Sequence, residues 1–323
     1  MPSLIPRTYK LISIVGPTAS GKSELAVKLA KRFNGEIISA DSRQIYKGMD
    51  LGTGKVQGKW TKSKFNPPAG GQNSIFKYKG IPHHLIDFLN PKQQFSVAKF
   101  QRVAQKKIQE ILERGHIPIL CGGTGHWLDA LVNNQIIPEV KPNFKLRASL
   151  EKKSAEKLFS QLQKLDSTRA SNIDRFNKRR LVRALEIVIT TGKPVPVNSS
   201  QQTDNSNKVL WLGIQTNQTD LYNKIDKRLA ERLKQGMLEE VKKLKKNKLS
   251  WKKLESFGLE YKYLALYIQN KISKEEMQTQ LSFAIKHYSK RQLTWWKRNK
   301  NINWIPPKVS IATKLIINFL KNV

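Results

Sequence analysis

Apolar residues in the first 140 positions fall into two alternating patterns. Short unbroken runs, Leu11 to Val15 (LISIV), Glu36 to Ala40 (EIISA), His84 to Phe88 (HLIDF) and Ile117 to Cys121 (IPILC), have the length expected of buried strands. Between them, ELAVKLAKRF and Phe95 to Arg114 (FSVAKFQRVAQKKIQEILER) place apolar residues at helical spacing, with Gly115 positioned to end the second helix. Strand runs without polar alternation imply a parallel sheet covered by helices on both faces.

From Pro138 the strand-like runs stop. Residues 141 to 193 give helices only, with 14 basic side chains against 5 acidic ones, and end at Gly192 and Pro194. The polar linker VNSSQQTDNSNK follows, and VLWLGI (Val209 to Ile214) then resumes as a buried strand. The remainder reads as helices, with an edge strand near Ile302 to Ile305. This order predicts an α/β core in two parts, 1–137 and 208–323, the second carrying C-terminal helices, with a basic helical insertion domain at 138–207. Trp60 to Gly80, rich in Lys, Pro, Gly and Asn, is predicted to be an exposed loop with little to pack.

Composition narrows the class. A chain of 323 residues with 39% hydrophobic and 26% charged residues can bury a full core. Its one cysteine, Cys121, excludes a disulfide framework and a thiolate metal cluster. The N-terminal apolar run is short for a signal peptide, and no stretch approaches the ~18 apolar residues of a membrane span. A cytoplasmic chain without a membrane partner is expected. The formal charge of +35 favours a polyanion as partner, although 44 Lys against 15 Arg is also what AT-rich coding would produce.

One motif carries specific chemistry. Gly16-Pro17-Thr18-Ala19-Ser20-Gly21-Lys22-Ser23 fits G-x-x-x-x-G-K-[ST], with a strand before it and a helix after it. Such a loop wraps backbone N–H groups around a phosphate at a helix N-terminus. Lys22 reaches the outer phosphate oxygens, and the Ser23 hydroxyl can ligate Mg²⁺. The motif specifies a polyphosphate but not the group transferred. Asp41-Ser42-Arg43-Gln44 follows the second strand at the carboxyl edge, where open α/β sheets bind ligands. Asp41 can ligate Mg²⁺, accept a proton from a nucleophile or simply cap a turn, and Gln44 can pair with a purine edge. Gly122-Gly123-Thr124-Gly125 follows the IPILC strand in the same way, so Thr124 either faces this site or serves a strand-to-helix turn.

Two basic stretches lie beyond the core, Asn177 to Arg183 (NKRRLVR) and Lys290 to Arg298 (KRQLTWWKR). Each can grip a phosphate backbone, although a solvated helix face with buried Trp295 and Trp296 is the commoner arrangement. His83 and His84 lack ligand partners at useful spacing and read as structural.

The ordered set GPTASGKS, ADSRQIYKGMDLGTGK, PHHLIDFLNP, FSVAKFQ, CGGTGHWLDAL, RRLVRALEI, IDKRL, GMLEEV and KRQLTW resembles the bacterial tRNA dimethylallyltransferases over residues 11 to 305. The resemblance implies a P-loop NTPase-like parallel sheet flanked by helices, with a helical insertion domain. It implies an enzyme that moves the dimethylallyl group from dimethylallyl diphosphate to the exocyclic amine of the adenosine 3′-adjacent to the anticodon. The expected acceptors are tRNAs reading codons that begin with U, bound through the anticodon stem-loop; Mg²⁺ is the expected cofactor and a monomer the expected form. The family's diphosphate loop falls on Gly16 to Ser23 and its catalytic base on Asp41. The threonine meeting the acceptor adenine falls on Thr124, and an arginine supporting the diphosphate on Arg228. Expected tRNA contacts are Asp41, Ser42, Arg43, Gln44, Thr124, Arg147 and the segment Arg179, Arg180, Leu181, Val182, Arg183. A small-molecule P-loop kinase would account for the core but not for the basic insertion, and a non-enzymatic RNA-binding protein would have no need of intact Lys22, Ser23, Asp41 and Thr124.

Overall fold

A computed structural model describes residues 10–62, 74–196 and 209–321. The chain forms two compact units, Met1–Val132 with Asn205–Val323, and Asn133–Asp204. The first unit opens with β1 (Leu11–Val15), α1 (Lys22–Arg32), β2 (Gly35–Ser39), β3 (Lys59–Lys62), β4 (Ser74–Tyr78), β5 (Ile81–His84), α2 (Val97–Glu113), β6 (Ile117–Gly122) and α3 (Gly125–Val132). The second unit contributes α4 (Phe144–Glu151), α5 (Ala155–Leu165), α6 (Ser167–Ser171) and α7 (Lys178–Thr191). The first unit then resumes with β7 (Val209–Ile214), α8 (Gln218–Lys234), α9 (Met237–Lys246), α10 (Trp251–Ser256), α11 (Leu259–Ile268), α12 (Lys274–Trp296), β8 (Ile302–Ile305) and α13 (Val309–Lys321).

The eight strands form one sheet in the order β3-β4-β5-β2-β6-β1-β7-β8, parallel from β5 to β8 and antiparallel across β3, β4 and β5. Because β1 and β2 are buried on both faces, their residues sort by alternation. Leu11 and Val15 join the core packed by α2, α3 and the helices after β7, while Ile12 and Ile14 meet Leu25 and Leu29 of α1 and Ala312 and Ile316 of α13. Register positions the site. Val15 pairs with Gly122 and Ser39 with Cys121, so the chain leaves β1, β2 and β6 at one level of the carboxyl edge.

Two expectations need correction. HLIDF is not a strand: β5 ends at His84, and Leu85 and Asp87 adopt positive φ of 56° and 52°, which turns the chain out of the ladder. Trp60 to Gly80 is not all loop, because β3 and β4 form an antiparallel pair in which Trp60 packs edge-on against buried Phe76, with His83 of β5 edge-on to the same ring. Residues 63–73, and the linker at 197–208, lie outside the described residues.

His83 and His84 are structural, as expected. His84 Nε2 lies 2.5 Å from Glu36 Oε2, and Arg114 Nη2 lies 2.8 Å from the same atom. Burial opposes the Glu36 charge, but the hydrogen bonds from His84 and Arg114 outweigh it and hold the carboxyl at about 2. In the second unit, Leu150, Leu158, Leu162, Leu181, Leu185 and Val188 form a separate core.

Candidate active site

The phosphate loop closes between β1 and α1. Ala19 and Gly21 adopt left-handed φ of 61° and 89°, and no side chain caps α1. The loop's amides are thereby divided between internal bonds and outward-facing donors. Ser20 N–H bonds Pro17 O at 3.3 Å, and Thr18 N–H is taken by Gln292 Oε1 at 2.8 Å. The N–H groups opening α1 have no earlier carbonyl in the helix to bond, which is how helix N-termini bind anions. Lys22 folds over the loop, its Nζ donating to Pro17 O at 3.1 Å. Burial lowers its pKa, while the charge of Asp41 works to raise it. Ser20 Oγ is buried without a hydrogen-bond partner.

The loops after β2 and β6 stand beside it. Asp41 Oδ1 accepts the N–H of Arg43 at 2.9 Å and of Gln44 at 3.3 Å, so the capping role is real and leaves Oδ2 for other work. Thr124 Oγ1 accepts Ser42 N–H at 3.1 Å, and Thr124 N–H donates to Ala40 O at 3.3 Å. Thr124 therefore serves the turn and faces the loop of Asp41 at once. Gly122 is forced by contact, since a Cβ there would lie 2.2 Å from Ala40 O.

A third wall comes from α8, α9 and α11. Glu240 accepts the N–H groups of Asp50 and Leu51 at 2.8 Å each and of Gly52 at 3.0 Å, and the Tyr261 hydroxyl donates to it at 2.7 Å. This carboxylate fixes the 50–54 turn. Arg228 Nη2 donates to Gly54 O at 3.1 Å, and Arg232 Nη1 meets Glu260 at 3.4 Å. Burial, then the neighbouring Arg232, pull the Arg228 pKa down to about 10. Burial and then the charge of Asp41 raise the Tyr288 phenol. The charge of Asp41 acts on Lys22, Arg228, Glu260 and Tyr288.

In the second unit the arginines separate into two kinds. Glu186, fully buried, accepts Asn143 N–H at 2.7 Å, Arg147 Nε at 2.8 Å, Arg147 Nη2 at 2.7 Å and Arg183 Nη1 at 2.5 Å. Arg147 and Arg183 are therefore held by a core carboxylate, each about one-third exposed, at 32% and 35%. Leu181 and Val182 lie in the core of this unit. Arg179 and Arg180 are the exposed members of the segment.

Gln292, Glu240, Tyr261, Arg232 and Tyr288 were not read as site residues from sequence. Glu240 lies inside GMLEEV and Gln292 inside KRQLTW, while Arg232, Tyr261 and Tyr288 lie outside every motif quoted above. Trp296 is buried against Trp211, and Trp295 Nε1 donates to Asp129 at 2.9 Å.

A strand, a glycine-bearing loop and an uncapped helix, beside a carboxylate and two arginines, define a P-loop-type core in a sheet flanked by helices. Comparison with known proteins narrows this. A family model described as IPP transferase matches residues 44–299, and one described as isopentenyl transferase matches residues 9–64. The tRNA dimethylallyltransferase 2 of Pelobacter propionicus is 36% identical over 307 residues, covering 92% of this chain and 90% of its own length. The tRNA dimethylallyltransferase of Acetivibrio thermocellus is 36% identical over 317 residues, 96% of each chain. Among solved structures, the tRNA isopentenylpyrophosphate transferase from Bacillus halodurans superposes with a TM-score of 0.67 at 33% identity, covering 97% of each chain. A eukaryotic dimethylallyltransferase acting on tRNA gives a TM-score of 0.74 at 25% identity, over 98% of this chain and 80% of that one. The chain belongs to the IPP transferase family.

Proposed function

We propose that this chain is a tRNA dimethylallyltransferase, transferring the five-carbon group of dimethylallyl diphosphate to the exocyclic amine of the adenosine 3′-adjacent to the anticodon. The observation that carries the reading is that the phosphate loop after β1, the Asp41 loop after β2 and the Thr124 turn after β6 leave the sheet at one level, the last two joined by the Ser42 N–H to Thr124 Oγ1 bond of 3.1 Å. The amine nitrogen attacks the allylic carbon as its bond to the diphosphate oxygen breaks. The diphosphate leaves with the electron pair, and the amine proton passes to Asp41. The amine is a weak nucleophile because its lone pair is delocalised into the purine, so proton removal must accompany bond formation. The outward N–H groups of the loop, Lys22 and Arg228 stabilise charge growing on the diphosphate.

Mg²⁺ suits the residues present. Ser23, in the first turn of α1, offers a hydroxyl beside the loop, leaving Asp41 free as the base. In the usual Mg²⁺ arrangement, substrate phosphate and water complete the shell. When bound, the ion supplies charge stabilisation to the leaving diphosphate.

The acceptor adenosine must leave the anticodon-loop stack to reach Asp41, with Ser42, Arg43, Gln44 and Thr124 as its nearest contacts. The basic insertion, through Arg179 and Arg180, binds the RNA backbone. No described helix is long and apolar enough to cross a membrane. Purified protein, unmodified tRNA, dimethylallyl diphosphate and Mg²⁺ should yield prenylated adenosine by nucleoside mass spectrometry. ATP turnover without that product would instead favour a small-molecule kinase.

A further inference from the structure

The amide of Gln292 touches two loops that have no sequence connection. Its Oε1 accepts Thr18 N–H in the phosphate loop at 2.8 Å, and its Nε2 donates to Gly123 O at 3.0 Å, one residue before Thr124. The side chain is buried, only 6% exposed, so these are its working bonds and not one choice among many solvated ones. The fit is close: a Cβ at Gly123 would lie 2.2 Å from Gln292 Nε2, with its next neighbours beyond the amide itself no nearer than 3.9 Å. Three residues further along α12, Trp295 covers Gly125 in the same way, with 2.2 Å between its ring and a Cβ built there. One face of α12 thus carries both contacts to the turn that bears Thr124.

A primary amide carries an acceptor oxygen and a donor nitrogen on one planar group, so it can accept from an N–H and donate to a carbonyl at once. Glu could make the first bond and Lys the second, and neither could make both.

We propose that Gln292 is a positioning residue that sets the distance between the two substrates. It pins the loop holding the leaving diphosphate to the loop holding the acceptor base, through the path Thr18, Gln292, Gly123, Thr124, Ser42. Thr18 N–H is spent on this link, so it is not one of the phosphate donors. The two substrates are bound by different loops, so loosening the link leaves each binding site nearly intact and disturbs the alignment between them. Reaction rates are steep in such alignment, because an ångström of misplacement can cost on the order of 10²-fold.

This inference rests on the transferase reading, and three measurements separate the two. Gln292→Leu should lower single-turnover transfer at saturating tRNA and dimethylallyl diphosphate by about 30- to 100-fold, with both KM values within about threefold of wild type. A rate within threefold of wild type in folded protein, or a loss lying wholly in one KM, overturns the strut. Gly123→Ala drives its new methyl into the Gln292 amide, so it should cost about as much as Gln292→Ala. In the Gln292→Ala background the methyl finds space, and the double variant should be no worse than the worse single one; losses that multiply overturn the proposal. Amide exchange reads the link without any reaction. Peptides covering 16–21 and 122–125 should both exchange faster in Gln292→Leu, and acceleration of only one, or neither, contradicts it. Absence of transfer by the wild-type protein would fail the transferase reading while leaving the exchange result to decide the link.

Discussion

Thr124 Oγ1 accepts the backbone N–H of Ser42 at 3.1 Å, across 82 positions of sequence. With a lone pair committed to Ser42, the hydroxyl keeps its proton to donate toward an acceptor base. Thr124→Ala removes both roles and should lower the transfer rate by about 10- to 100-fold, whereas Thr124→Ser should stay within about threefold. Single-turnover transfer on one tRNA checks the pair, and equal losses in both variants would point to packing of the methyl group instead.

Glu186 is predicted to be the electrostatic keystone of the second unit. Burial works against its charge, but the hydrogen bonds from Arg147 and Arg183 hold its pKa at about 2, below its ordinary 4.5. A depressed carboxyl contributes stability above its ordinary range, and that contribution is lost as pH falls through about 2. Glu186→Gln should therefore unfold the insertion more easily by on the order of 3 kcal/mol at pH 7, with the deficit shrinking toward pH 2 to 3. Thermal melts of both proteins across that range measure it.

Arg179 and Arg180 are exposed, while Arg147 and Arg183 share a carboxylate. If the exposed pair contacts RNA phosphates, Arg179→Ala and Arg180→Ala should each lower the slope of log affinity against log salt by about 0.7 to 0.9, without moving the melting temperature. Salt titrations of tRNA binding provide the slope.

Asp129 lies under Trp295, which donates to it at 2.9 Å. Burial raises its pKa from 3.8 to about 6, against the smaller pull of Trp295 and Arg298. A carboxyl raised in the folded state costs nothing below pH 3.8 and its full penalty above pH 6. Asp129→Asn keeps an acceptor for Trp295 and should raise stability by up to about 2 kcal/mol at pH 7.5, with no gain near pH 3.5. Denaturant melts at the two pH values are the check.

The sheet was legible in sequence because β1, β2, β6 and β7 are buried on both faces and therefore appear as unbroken apolar runs. HLIDF misled because its apolar residues serve a turn with positive φ at Leu85 and Asp87, which hydrophobicity does not encode. The β3 and β4 pair was hidden because exposed strands carry little apolar signal, and Phe76 is its one buried side chain in the described part. In the site, the phosphate loop is local and was read from eight residues. Gln292 and Glu240 act on loops 169 or more positions away, through bonds to backbone that leave no trace in spacing.

The central claim is that Asp41 takes the proton of the acceptor amine beside a diphosphate held by Lys22 and Arg228. Asp41→Asn tests it most directly, since an amide oxygen can still accept from Arg43 and Gln44 as Oδ1 does at 2.9 and 3.3 Å, but cannot take the proton. The measurement is the single-turnover rate of dimethylallyl transfer to tRNA at saturating donor, with tRNA affinity measured on the same preparation. The account predicts a rate lowered about 10²- to 10⁴-fold with tRNA affinity within about threefold of wild type. A variant that transfers within tenfold of the wild-type rate would contradict it.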